Sequence, residues 1–187
     1  MASPRGALIL GHGAGGGIAA RDLSVAAGAA RSAGFSIALV EQPYRVAGRR
    51  SPAPARQLDA VWIAVVEHLA QGELHALPLL TGGRSSGARV ACRTASAVGA
   101  AGVLCLAFPL VPPARAGKEP APSRLPELEA VTVPTLVVQG AADRFGMPPP
   151  AKNRTVIEVR ADHSLRTDLI ALATAVSDWL AHLPSKR

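Results

Sequence analysis

Short apolar runs alternate along this chain with segments of helical spacing, and this alternation restricts the fold more than any other feature. Five runs are predicted to be buried strands, ALIL, SIALV, ALPLL, GVLCLAF and TLVVQG, and TVIEVR is a more alternating sixth. Strand–helix alternation implies right-handed crossovers, and so predicts a mostly parallel six-stranded sheet with helices on both faces. In such an α/β fold, functional residues are expected at the carboxyl ends of the strands.

Two helices are indicated by the spacing of their apolar residues. In the last one, apolar residues recur from Leu165 to Leu183 at three- and four-residue steps, with Ser164 as a candidate N-cap. Another runs near Arg56 to Ala70, with an apolar face formed by Leu58, Val61, Trp62, Val65 and Leu69. A chain of 187 residues can bury a full core. We therefore predict that residues 1–187 form a single domain without a separate cap.

The excess of basic over acidic residues in the chain does not indicate a nucleic-acid-binding protein. The formal net charge of +7 comes from 20 Lys and Arg against 13 Asp and Glu, and the cations are scattered along the chain rather than clustered. No run approaches the roughly 18 apolar residues that span a membrane, and the apolar run near the N-terminus is shorter than a signal-peptide core. We expect a cytoplasmic location and no nucleic-acid or membrane partner, and predict no particular oligomeric state.

The two cysteines do not indicate a metal or redox site. Cys92 falls in a predicted helix and Cys105 in a predicted strand, and their spacing matches neither metal ligands nor a redox pair. Buried thiols of this kind behave as small apolar side chains. No metal and no organic cofactor is predicted.

The segment TGGRSSGARVA contains the pattern G-x-S-x-G, formed by Gly83, Ser85 and Gly87. Between a strand and an alanine-rich helix, this pattern is typical of a nucleophile elbow, in which the serine occupies a strained turn. The flanking glycines let the strand and helix backbones approach without a clash, so the hydroxyl is lifted into a cleft. The pattern also arises by chance in a glycine-rich chain, and Ser85 is alternatively a simple helix N-cap.

Asp143 and His163 complete a candidate catalytic set with Ser85. Asp143 lies just past a predicted strand in TLVVQGAADRFG, and His163 lies just past the next strand in TVIEVRADHSL. The order serine, aspartate, histidine, with each residue at the end of a strand, is the chain order of triads built on such sheets. Asp143 could instead close an Asx-type turn. Asp162, which directly precedes the histidine, is interpreted as a solvated neighbour.

These motifs resemble those of the α/β-hydrolase superfamily, in particular its small, cap-less dienelactone-hydrolase-like branch. The resemblance runs from LGHGAGGG through GGRSSGARVA and GAADRFG to ADHSL, and the chain is also similar to the hydrolase-like domain in a subunit of a histone acetyltransferase complex. It implies that Ser85 is the nucleophile, His163 the general base and Asp143 its orienting acid. It further implies cleavage of a small-molecule ester or thioester through an acyl-enzyme. Dienelactone hydrolase itself has a cysteine nucleophile, whereas this chain has serine.

The glycine-rich turn in ALILGHGAGGG has two interpretations. In the superfamily that the chain resembles, a His-Gly-x turn after the first strand lends a backbone N–H to the oxyanion hole, which assigns one donor to Ala14 and the other to Ser86. The same letters spell G-x-G-x-x-G from Gly11, and Glu41 at the end of the second run could hold a ribose hydroxyl in a nucleotide-binding module. A catalytically silent interaction protein with the same fold is a third alternative.

Arginines in the predicted elbow and loops are candidate charges at the edge of the site. Arg45, Arg84 and Arg144 fall there, as do Arg49, Arg50, Arg115 and Lys118. If several of them converge, their field would favour an anionic acyl or leaving group. The alternative is that they are solvated loop charges.

Overall fold

One sheet of six parallel strands forms the centre of the protein, in a computed structural model that describes residues 3–113, 119 and 121–183. In chain order the strands are β1 (Gly6–Gly11), β2 (Phe35–Val40), β3 (Leu79–Arg84), β4 (Gly102–Leu106), β5 (Thr135–Gly140) and β6 (Arg154–Val159). The spatial order is β2-β1-β3-β4-β5-β6. The predicted six-stranded sheet is therefore confirmed. Arg115 and Lys118 lie outside the described residues.

Helices cover both faces of the sheet, as the alternation predicted. They are α1 (Arg21–Ser32), α2 (Pro43–Val46), α3 (Ala55–Gln71), α4 (Ser86–Thr94), α5 (Leu125–Glu129) and α6 (Leu169–His182). Within the described ranges, no helix combines the length and the hydrophobicity needed to cross a lipid bilayer.

Successive side chains of β1 point to opposite faces, and each face has its own core. Leu8 and Leu10 pack with apolar residues of α1 and α6 on one face. Ala7 and Ile9 pack on the other with Trp62 of α3 and a residue of α4. Both faces of the central strands are thus withdrawn from water, which explains why these strands read as continuous apolar runs.

Helix α6 begins at Leu169, so the prediction that Ser164 caps it is wrong. The backbone amide of Ser164 donates to the Asp162 carboxylate at 2.8 Å, and Leu165 has a φ of 51°, a conformation that an α-helix does not contain. The true N-cap is Asp168, whose carboxylate accepts from the Ala171 amide at 3.3 Å. The intervening turn carries His163 toward the sheet edge.

Strand β3 and helix α3 also differ in detail from the prediction. β3 extends through Gly82 and Gly83 to Arg84 instead of ending at Leu80. Glycine is needed at these two positions because a Cβ on either one would overlap a neighbouring strand's carbonyl oxygen. On α3, Val61 remains 39% exposed whereas Val66 is buried. The extension of β3 matters because it brings Ser85 directly to the end of the strand.

Replacing Gly83 by alanine is expected to lower the free energy of unfolding by about 2–3 kcal/mol. The new Cβ would overlap the Gly11 carbonyl oxygen and lie 2.7 Å from the Gly87 carbonyl carbon, both of which are backbone atoms. The matched control is Gly28→Ala within α1, where a Cβ meets nothing within 4 Å, and alanine stabilises a helix by about 0.5–1 kcal/mol over glycine. Urea unfolding measures both, and equal stabilities of the two variants would contradict this account.

Candidate active site

Ser85 sits in a strained turn between β3 and α4. Its φ and ψ are 52° and −107°, outside the regions that L-residues ordinarily occupy. The turn is fixed on one side by the Ser85 amide, which donates to the Leu106 carbonyl at 2.9 Å. On the other side, Gly87 packs so closely on Gly11 and His12 that a Cβ would overlap their backbone. This geometry matches the predicted elbow, in which the hydroxyl is lifted from the sheet edge.

The structure brings Ser85, His163 and Asp143 into one hydrogen-bonded chain. The Ser85 Oγ lies 3.0 Å from His163 Nε2, and His163 Nδ1 lies 2.8 Å from Asp143 Oδ2. An ionised carboxylate accepts a hydrogen bond from the protonated Nδ1, which leaves Nε2 as the acceptor for the serine hydroxyl. The arrangement can therefore take a proton from the serine while holding the imidazole in one tautomer. Asp162 is exposed and bonds Ser164 instead.

Gln139 at the end of β5 holds the Asp143 carboxylate, a role that the sequence analysis did not assign. Its side-chain amide nitrogen lies 2.8 Å from Asp143 Oδ2 and close to the carbonyls of Phe108 and Gly146. The other carboxylate oxygen, Oδ1, accepts from the Phe145 amide at 2.9 Å. The Asp143 side chain is fully shielded from solvent, so these donors replace water around the charge. The signal that the sequence offered was a glutamine within an otherwise apolar strand.

Arg84, a predicted site-edge charge, binds the backbone of the histidine turn and does not line the pocket beside Ser85. Its guanidinium donates to the His163 carbonyl at 2.9 Å and lies 3.4 Å from Oδ2 of Asp22 in α1. Asp22 is buried, and burial raises the pKa of its carboxyl group above the ordinary value although Arg84 acts in the opposite direction. Arg84 thus ties the histidine turn to α1.

The glycine-rich turn after β1 is held by His12, which is fully buried. Its Nδ1 lies 2.8 Å from the Gly13 carbonyl, and its Nε2 lies 2.9 Å from the Gln42 amide and 2.7 Å from the Glu41 carboxylate. The Tyr44 hydroxyl donates to the Ala14 carbonyl at 3.3 Å. His12 is therefore a structural residue here, and the turn is bound on both sides to the segment that follows β2.

The two predicted oxyanion-hole residues line the same pocket as Ser85. Ala14 and Ser86 lie with Ser85 along a pocket of about 300 Å³. In the described part of the chain, neither backbone amide donates to a protein acceptor. Two such amides beside a nucleophile are the donors that an oxyanion requires.

Contacts within the protein account for the first two glycines of G-x-G-x-x-G, whereas a Cβ on the third, Gly16, would meet nothing closer than 4.0 Å. Gly11 meets Trp62 and Gly87, and a Cβ on Gly13 would lie 2.8 Å from an Arg84 side-chain nitrogen. Glu41, the candidate ribose ligand, lies 2.7 Å from His12 Nε2. Gly11 and Gly13 therefore serve the packing of β1 and its turn against the elbow, and nothing in these contacts favours a nucleotide-binding module.

Arg45 and Arg144 are both exposed. The Arg144 guanidinium lies over the ring of Phe145, 5.5 Å from its centre, and neither arginine lines the pocket beside Ser85. None of Arg45, Arg84 and Arg144 therefore lines the pocket beside Ser85. Solvated or structural positions account for all three.

The two cysteines are buried, as predicted, but they are neighbours. Their sulfur atoms lie 3.4 Å apart between α4 and β4, and the hydrogen bond with Cys92, together with burial, raises the pKa of the Cys105 thiol. Among the described residues, no group of three or more histidine, cysteine, aspartate or glutamate side chains could hold a metal ion.

Comparison with known proteins identifies the family to which this fold belongs. The profile of the alpha/beta hydrolase domain family matches residues 4–171. The chain belongs to this family. No curated protein gives a significant sequence match to the hydrolase.

Solved structures share the fold of this hydrolase over nearly its whole length. A serine hydrolase without a lid from Xanthomonas campestris superposes with a TM-score of 0.77 at 20% identity, covering 100% of this chain and 86% of the other. A dienelactone hydrolase from Anabaena variabilis gives 0.72 at 18% identity, covering 97% and 89%. Est1E from Butyrivibrio proteoclasticus, with ferulic acid bound, gives 0.75 at 15% identity, covering 98% and 92%. At these identities the likeness establishes the fold.

Replacing Asp22 by asparagine is expected to change the pH dependence of stability. Because the folded-state pKa of Asp22 is raised, the native protein binds this proton more tightly than the unfolded chain, and ionisation of Asp22 costs stability as the pH rises above about 4. The free energy of unfolding of Asp22→Asn minus that of the native protein should therefore increase with pH and then level off. Urea unfolding between about pH 4 and pH 8 measures this difference.

The exposed Asp178→Asn in α6 serves as the control for that experiment. A difference that decreases with pH for Asp22→Asn would mean that the ion pair with Arg84 outweighs burial, and would contradict the prediction.

Proposed function

We propose that this hydrolase cleaves an ester or thioester through a Ser85 acyl-enzyme. The observation that carries the proposal is the continuous chain from the Ser85 Oγ through His163 to the buried Asp143, with distances of 3.0 and 2.8 Å. Neither a serine N-cap nor an Asx turn requires a histidine between them. The strained backbone at Ser85 is a further support, because such strain persists where a function requires it.

In the first half-reaction, the Ser85 Oγ attacks the acyl carbonyl carbon as its proton passes to His163 Nε2. The negative charge that develops on the carbonyl oxygen is held by the amides of Ala14 and Ser86, each worth on the order of 3 kcal/mol in comparable sites. His163 then gives its proton to the leaving alcohol or thiol, whose bond to the acyl carbon breaks. Asp143 keeps the proton on Nδ1 and stabilises the imidazolium.

In the second half-reaction, water takes the place of the leaving group. His163 Nε2 accepts a proton from this water as its oxygen attacks the acyl carbon, and the proton then returns to the Ser85 Oγ as the acid leaves. The net reaction consumes one water and yields an acid and an alcohol or thiol. The relatives named as a dienelactone hydrolase and as Est1E with ferulic acid support an acyl substrate, and the residues proposed here need no metal or organic cofactor.

A fluorophosphonate probe is expected to label Ser85 and no other residue. The probe reacts with serines that are activated by a neighbouring base, because the hydroxyl must lose its proton to attack phosphorus. Intact mass and peptide mapping of the native protein should give one adduct on Ser85, and Ser85→Ala should give none. Ser86→Ala is the matched control, since it keeps the backbone amide and should still be labelled.

Asp143→Asn adds a test of the orienting carboxylate, and its labelling rate should fall steeply because the wrong imidazole tautomer is favoured. The corresponding substitution in a serine protease costs about 10⁴ in kcat. A folded native protein without an adduct would contradict the proposal. It would favour the alternative of a catalytically silent interaction protein with the same fold.

A further inference from the structure

The pocket beside Ser85 has an apolar wall and a wall of arginines. Its apolar side is formed by residues of α3 and the segment before it, together with Pro109 and Phe145. The same pocket is also lined by Arg89 and Arg93 of α4 and by Arg124, which directly precedes α5. None of these three was a candidate in the sequence analysis. Arg89 and Arg93 belong to helix α4, and Arg124 lies in the loop after β4, from which only Arg115 and Lys118 were named.

Two of the arginines are paired with carboxylates. Arg93 binds Asp59 of α3 through two nitrogens at 2.8 and 2.6 Å, and Arg89 Nε donates to Glu127 of α5 at 2.9 Å. Arg93 also lies 3.4 Å from Glu127. Paired guanidinium and carboxylate groups in this geometry are held rigidly. The pairs therefore form the fixed back of the pocket and link α3, α4 and α5.

Arg124 is the arginine without a carboxylate. Its Nη1 donates to the Pro109 carbonyl at 3.1 Å, and among the described residues no carboxylate lies within 4 Å of its guanidinium. The neighbouring residues outside the description, 114–118 and 120, include no Asp or Glu. The pocket is thus lined by three guanidinium groups, and only two carboxylates, those of Asp59 and Glu127, pair with them. One positive charge is left uncompensated.

The surroundings of Arg124 favour the arrival of an anion. Burial lowers the pKa of its guanidinium below the ordinary value, and repulsion by Arg89 and Arg93 acts in the same direction against the attraction of Glu127. Arginine nevertheless remains charged. A guanidinium has five N–H donors, and one neutral carbonyl satisfies only part of them. A carboxylate would relieve the repulsion and accept a charge-assisted hydrogen bond.

The position of His163 indicates which part of the substrate enters the pocket. The leaving group must be within reach of His163 Nε2, because it takes its proton there. His163 does not line this pocket, whereas Ser85, Ser86 and Ala14 do. The pocket therefore extends from the oxyanion side of the nucleophile and suits the acyl group rather than the leaving group.

We propose that the pocket binds a carboxylate at the far end of the acyl group, with Arg124 as the specificity-determining residue. This rests on the proposed function, since it names the substrate class of the same site. The preferred substrates are then monoesters or monothioesters of short dicarboxylic acids. The apolar wall from α3 and Phe145 contacts the methylene chain between the two carbonyl groups.

The test compares esters that differ only in where a carboxylate lies. Monoethyl adipate carries it on the acyl side, ethyl hexanoate carries none, and the acetate ester of hydroxyhexanoic acid carries it on the leaving group. Hydrolysis is followed by pH-stat at low salt. We expect kcat/KM for monoethyl adipate to exceed that for ethyl hexanoate by about tenfold or more, the range of a charge-assisted hydrogen bond. The acetate ester should show no such gain over hexyl acetate.

Arg124→Gln is expected to abolish the gain for monoethyl adipate, measured within the variant as the ratio of its kcat/KM to that for ethyl hexanoate. Arg124→Lys keeps the charge and should retain part of it. The matched control is Arg31→Gln at the exposed end of α1, which removes the same net charge and should retain the full gain. A gain that survives in Arg124→Gln, or an equal gain for carboxylates on both sides, would overturn the proposal.

Adipate itself provides a readout that needs no turnover. It should raise the Tm of the native protein and of Ser85→Ala but not that of Arg124→Gln, because a ligand that binds only the folded state stabilises it. If no ester is cleaved and no probe adduct forms, the proposed function fails, and this binding measurement still decides the carboxylate site. If neutral esters are cleaved without a carboxylate preference and adipate has no effect, only the carboxylate site fails.

Discussion

Gly11, Gly83 and Gly87 bring three backbones so close together that no side chain fits between them. The Gly11 carbonyl of β1 occupies the space that a Cβ on Gly83 or Gly87 would need. Strand β3 and helix α4 therefore meet β1 directly, and the one residue between β3 and the helix, Ser85, takes up the change of direction with a positive φ of 52°. The nucleophile lies at the sheet edge, partly exposed, because the chain around it is packed backbone to backbone.

This packing places the serine but not its partners, which arrive on separate loops. Each loop is held by a polar side chain at the sheet edge: His12 for the glycine-rich turn, Gln139 for the aspartate loop and Arg84 for the histidine turn. Two of these supports, His12 and Gln139, are fully buried. Buried polar groups are costly unless bonded, so each one fixes its loop in a single arrangement. Reacting groups gain from such preorganisation because little reorientation is left for the reaction.

The features that the sequence predicted are those written in short windows of residues. Strand order along the chain follows from apolar runs, and Ser85, Asp143 and His163 follow from glycines and strand ends within about ten residues of each. The missed features join distant segments. Arg93 and Asp59 are 34 residues apart, and Arg84 reaches a histidine carbonyl 79 residues away. Even the local capping signal at Ser164 failed, because Asp162 bonds it first and Asp168 caps the helix.

The charged residues also depend on contacts between distant segments, which the sequence does not reveal. The net charge of +7 is uninformative as a sum, since exposed arginines such as Arg45 and Arg144 are screened by water and salt. The arginines on α4 are different because their partners come from α3 and α5, so the helices that cover the sheet also fix charges at the pocket. Removing a guanidinium even partly from water costs free energy unless a negative group compensates its charge. Carboxylates of the protein pair with Arg89 and Arg93, whereas Arg124 donates only to a backbone carbonyl. A carboxylate at the far end of the acyl group would compensate the one positive charge that the fold leaves without a carboxylate partner.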